Sequence, residues 1–74
     1  MTTEEKVILL ALLKKEEQEG LREILAMLEN NRLFTMKEGK RLAKGLKNEG
    51  YIGENGLTLK GIAAARSAEE EFRL

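Results

Sequence analysis

The chain has 74 residues, with 13 lysines and arginines balanced by 13 glutamates, and it contains no histidine, cysteine, tryptophan or aspartate. One domain is expected at this length, and the missing residue types exclude thiolate and imidazole zinc sites, disulfide staples and histidine-activated nucleophiles, so the chain reads as a non-enzyme with no cofactor and no small-molecule ligand. Its longest apolar run, Val7 to Leu13, falls far short of the roughly 18 residues that suggest a membrane span, and its start lacks the basic region and cleavage site of a signal peptide, so a soluble, cytoplasmic protein without a membrane partner is expected.

Thr2 followed by Glu5 has capping-box spacing, which predicts a first helix over about 3–16. Val7 to Leu13 covers the whole circumference of that helix, so it is either packed on all sides by the rest of the domain or partly a dimer face. Glu17 to Gly20 is a polar connector. Leu21, Ile24, Leu25 and Leu28 then repeat at i, i+3, i+4 and i+7, predicting a second helix over about 21–30. Arg32-Leu33-Phe34 forms the next turn, with Leu33 and Phe34 expected in the core and Phe34 placed to staple the helix that follows.

Thr35 and Glu38 have the spacing of another capping box, and Asn48-Glu49-Gly50 ends in a glycine suited to the left-handed residue beyond a helix, so a third helix is expected over 35–48. At about 100° per residue, Lys37, Lys40, Arg41, Lys44 and Lys47 share one sector, while Leu42, Ala43 and Leu46 lie opposite. Residues 35–48 carry five cations and one acid, a net charge of +4, whereas the segments before and after each sum to −2. A solvated face is the ordinary reading of surface lysines, but here a neutral chain concentrates its positive charge on one element. Gly45 borders the cationic face and costs the helix about 1 kcal/mol relative to alanine, which a close approach by a partner would explain.

Tyr51-Ile52 is short and β-favouring, and Asn55-Gly56 has the composition of the central pair of a type I′ turn, so a hairpin is expected over about 51–58. Thr58 is the expected cap of a last helix over about 59–72. The Ile62-Ala63-Ala64-Ala65 run there favours helix by propensity, and its small side chains also let another helix come close.

The order of helix, helix, cationic helix, hairpin and helix, together with particular residues, resembles the winged helix-turn-helix regulators of bacteria and archaea. Leu42, Leu46, Gly50 and Tyr51-Ile52, followed by Leu57-Thr58-Leu59-Lys60-Gly61, carry the resemblance, which spans about residues 5 to 68. It implies a mainly helical α+β fold, with a three-helix core, a short two-stranded wing and a C-terminal helix. Two features depart from the family. The wing tip, Gly53-Glu54-Asn55-Gly56, has no lysine or arginine, and Glu17 to Gly20 leaves little room for a strand between the first two helices.

By the same resemblance, the third helix is expected to enter the major groove of double-stranded DNA, as in a small transcriptional regulator. Lys37, Lys40, Arg41 and Lys44 would make the contacts, Lys47 would touch the DNA backbone, Thr35 would lie near a phosphate at the helix N-terminus, and Arg41 would read a guanine through paired hydrogen bonds. The alternative is a protein-interaction module that docks an acidic partner on the same basic face. A homodimer through the first and last helices would support a core expected to supply only about 3–5 kcal/mol.

Overall fold

Thr2 fixes the start of the first helix. In the computed structural model, which describes residues 1–73, the Thr2 hydroxyl accepts from the Glu5 N–H at 3.2 Å and the Thr2 N–H donates to the Glu5 carboxylate at 2.8 Å. Helix α1 (Thr3–Lys14) ends two residues before the expected boundary. Lys15 is extended, with ψ 158°, and the Glu16 N–H donates to the Glu19 carboxylate at 2.7 Å, so the connector begins early. Next come α2 (Leu21–Asn30), α3 (Met36–Asn48), β1 (Ile52–Gly53), β2 (Gly56–Leu57) and α4 (Leu59–Phe72).

The apolar spacing of each helix decides which face goes inward. Ile8, Leu9 and Leu12 of α1, Ile24, Leu25 and Leu28 of α2, Ala43 and Leu46 of α3, Ile52 of β1, and Ala65 and Ala68 of α4 are buried. Helix α1 is central, as a helix apolar all round requires. It packs most extensively on α4 and also meets α2, α3 and β2. Two alanines of α4 are therefore core residues as well as helix formers, and their small size brings the α4 backbone close to α1. Lys6–Glu71 and Lys14–Glu69 ion pairs, at 2.8 and 2.5 Å, span these helices at the surface, where such pairs contribute at most about 1 kcal/mol each.

Helices α2 and α3 end in the same way. At the end of α3, Gly50 has φ +84°, its N–H donates to the Lys47 carbonyl and the Tyr51 N–H donates to the Leu46 carbonyl, the bonding of a Schellman motif. The end of α2 repeats it, with Arg32 to Glu29 at 2.8 Å and Leu33 to Leu28 at 3.1 Å. There, however, the left-handed position is occupied by Arg32, at φ +61°.

The hairpin is antiparallel and, among the described residues, two-stranded, with Ile52 opposite Leu57 and Gly53 opposite Gly56. Its turn differs from the expected one. The residues between the paired glycines are Glu54 and Asn55, and neither has positive φ. Gly56 alone takes it, at +114°. A turn without positive φ at Glu54 and Asn55, followed by a positive-φ glycine, thus replaces the type I′ turn, which needs positive φ at both central residues.

Thr58 and Gly61 join this hairpin to α4. The Thr58 oxygen accepts from the Gly61 N–H at 3.0 Å, its hydroxyl donates to the Gly50 carbonyl at 2.5 Å, and its N–H donates to the Tyr51 carbonyl at 3.1 Å. A Cβ on Gly61 would lie 1.9 Å from that Tyr51 carbonyl oxygen. Because the obstruction is backbone, Gly61→Ala is expected to destabilise the protein by about 3 kcal/mol, the upper part of the overpacking range, despite the gain in helix propensity. A urea midpoint unchanged from that of the parent chain would contradict this contact.

Candidate nucleic-acid interface on the third helix

Burial of Gly39, Ala43 and Leu46 sets the rotation of α3. With that face inward, Lys37, Lys40, Lys44 and Lys47 are all exposed. No carboxylate lies within 4.0 Å of any of the four ammonium groups among the described residues. The four lysines expected at the site therefore form one unneutralised row.

Arg41 differs from them. Its Nε donates to Glu38 Oε2 at 3.1 Å and its Nη2 to Glu38 Oε1, a two-pronged pair one turn back along the same helix. The guanidinium holds the Glu38 carboxyl below the ordinary carboxylate value, and the carboxylate raises Arg41 in return. Arg41 lines a cleft of about 450 Å³ with Thr2, Glu4 and Phe34, between α3 and the start of α1. Glu38 thus engages two of the five guanidinium N–H donors, on Nε and Nη2, and fixes the plane of the group, while the Nη1 donors remain without a partner among the described residues.

The front of α3 is also partly occupied. Thr35 caps it as expected, accepting from the Glu38 N–H at 3.2 Å, but the reciprocal half of the box is missing because the Glu38 carboxylate binds Arg41. Glu29 of α2 accepts from the next amide, the Met36 N–H, at 2.8 Å. A carboxylate stands where the helix dipole favours an anion, so a phosphate beside Thr35 would face that negative charge.

Two further residues position this helix. A Cβ on Gly39 would lie 2.5 Å from the Phe34 ring, so the ring rests directly on the α3 backbone; because the N4 residue is this glycine, ring-on-backbone packing takes the place of the expected side-chain staple. At the other end, the Lys60 ammonium donates to the Glu49 carbonyl at 2.6 Å and sits 4.5 Å from the Tyr51 ring centroid. Sequence reasoning had no local signal for the Glu29–Met36 bond, whose partners are seven residues apart on different helices. Lys60 falls on an unspecified position of the Leu57–Gly61 segment, so no sequence signal pointed to its contacts with Glu49 and Tyr51.

The tip formed by Glu54 and Asn55 is exposed and brings no cation to the interface. Among the described residues, no group of three or more potential metal ligands comes together, and no helix is long and apolar enough to cross a membrane. The chain matches no protein-family model, no curated protein and no solved structure.

Glu5, Glu38 and Glu69 all titrate below the ordinary carboxylate value, because of the Thr2 N–H, Arg41 and Lys14 respectively. A depressed folded-state value gives stability that is fully present above the unfolded value, about 4.3 for glutamate, and is lost as pH falls through the folded value. The urea midpoint is therefore expected to hold from neutrality to about pH 5 and to decline below it. In Glu5→Gln the decline should be shallower, because the proton uptake belonging to the Thr2 cap is removed. Equal pH profiles for the two proteins would rule out that contribution.

Proposed function

We propose that this chain is a winged-helix DNA-binding protein, a small transcriptional regulator that lays α3 in the major groove. The row of unpaired lysines on the exposed face of α3 carries the reading. A short turn joins α2 to α3, and a hairpin follows, which supports the arrangement in which the second helix of such a pair enters the groove. Lysine is a point charge rather than a planar fork, so these four side chains suit phosphates, and their contribution to affinity is largely independent of sequence. Base reading falls to Arg41, whose Nη1 donors stay free while Glu38 holds Nε and Nη2.

The zero net charge of the whole chain and a hairpin tip without a cation favour a second reading, in which the same lysines dock an acidic protein. Salt dependence and competition separate the two. With four phosphates neutralised, the lysines together should contribute about −3.6 to the slope of log K against log salt for a duplex, and each Lys→Gln replacement should remove about 0.9 of it. Fluorescence anisotropy between about 50 and 200 mM salt measures this directly. A flat slope defeats the DNA reading, and poly-glutamate displacing the duplex at equal charge concentration supports the acidic-partner reading instead.

A further inference from the structure

The α2–α3 unit twice holds a residue its own stability would reject. Arg32 occupies a left-handed position, φ +61°, that glycine fills at the matching end of α3, and a side chain there is strained. Gly45 presents the opposite case. It lies inside α3, where a Cβ would meet nothing within 4 Å, so alanine would fit and would favour the helix. Neither choice is explained by contacts within the chain. Arg32 is exposed and its side chain has neither a hydrogen bond nor a carboxylate within 4.0 Å among the described residues. By contrast, Gly39 is fully accounted for by the Phe34 ring and Gly61 by the Tyr51 carbonyl.

Both positions adjoin the lysine row. Arg32 lies in the turn that leads into α3, where the Glu29–Met36 bond holds the end of α2 against the front of that helix, and Lys37 is in the first turn beyond. Gly45 follows Lys44 and lies one turn after Arg41. Functional surfaces are among the places where local preference is overridden without an internal reason, and both positions lie beside the unpaired lysines.

We infer that the DNA-facing surface runs from Arg32 to Lys47 and that Arg32 and Gly45 are both kept for contact with the duplex. Arg32 adds a phosphate contact ahead of Lys37. Gly45 lets the sugar-phosphate wall come against α3 where a methyl group would hold it off. The inference rests on the DNA-binding reading above and adds to it the residues that set how closely, and over what length, the helix is gripped.

Stability and binding should move in opposite directions, which an ordinary loss of structure cannot imitate. Arg32→Gly and Gly45→Ala are each expected to raise Tm by about 4 °C or more while weakening binding to a labelled mixed-sequence duplex. For Arg32→Gly, the salt slope should shrink by about 0.9, and Arg32→Lys should restore it. For Gly45→Ala, affinity should fall about tenfold at every salt concentration, a loss of about 1.4 kcal/mol, with the slope unchanged because no charge is removed. If either variant binds as the parent does, or melts below it, the inference is overturned. Failure of the parent chain itself to bind any duplex would instead remove the underlying DNA reading, and this surface assignment with it.

Discussion

The Tyr51 carbonyl oxygen is where three elements are fastened together. It follows the last turn of α3, it accepts from the Thr58 N–H across the hairpin, and it lies so close to the α4 backbone that only glycine fits at position 61. Thr58 caps α4 with one side of its oxygen and bonds to the Gly50 carbonyl through its hydroxyl. The direction of α4 is thus set by the end of α3. Because α4 packs along α1 through Ala65 and Ala68, and α1 meets the remaining helices, this junction relates the exposed face of α3 to the whole core.

Charge on α3 is sorted by geometry more than by composition. Five cations share one sector of the helix, but only Arg41 has an acid one turn before it at a reach its guanidinium can bridge. Glu38 therefore takes the planar, two-pronged donor and leaves the lysines to solvent. The exposed row is consequently richer in point charge than in hydrogen-bond pattern, a surface suited to gripping a polyanion. The one planar donor group on this face is held in a fixed orientation by Glu38, with its Nη1 donors left free.

Much of the fold was legible in the sequence because its signals are local. Thr2 with Glu5, Thr58 before α4 and Gly50 after α3 act within a few residues of themselves, and Leu21, Ile24, Leu25 and Leu28 mark one face with helical spacing. The errors arose where partners compete. Thr35 and Glu38 satisfy the capping-box pattern, yet the glutamate bonds more strongly to the charged guanidinium than to a neutral amide, and Glu29 arrives from another helix to accept from the next N–H, that of Met36. The Asn55-Gly56 pair fits a type I′ turn by composition, but the strand pairing places Glu54 and Asn55 at its centre. Arg32 carries no sequence sign of a left-handed backbone, since the surrounding hydrogen bonds impose it. At the candidate interface, the lysine row was readable from helical spacing, whereas the engagement of Arg41 required the side-chain geometry.

Tyr51 gives the fastening point an optical consequence. It is the chain's one tyrosine, and there is no tryptophan, so the intrinsic fluorescence excited beyond the phenylalanine band comes from a single ring. That ring lies beneath the Lys60 ammonium, beside the backbone contact that joins α3, the hairpin and α4. The protein therefore carries a native, single-site reporter of the junction on which the orientation of its basic helix depends.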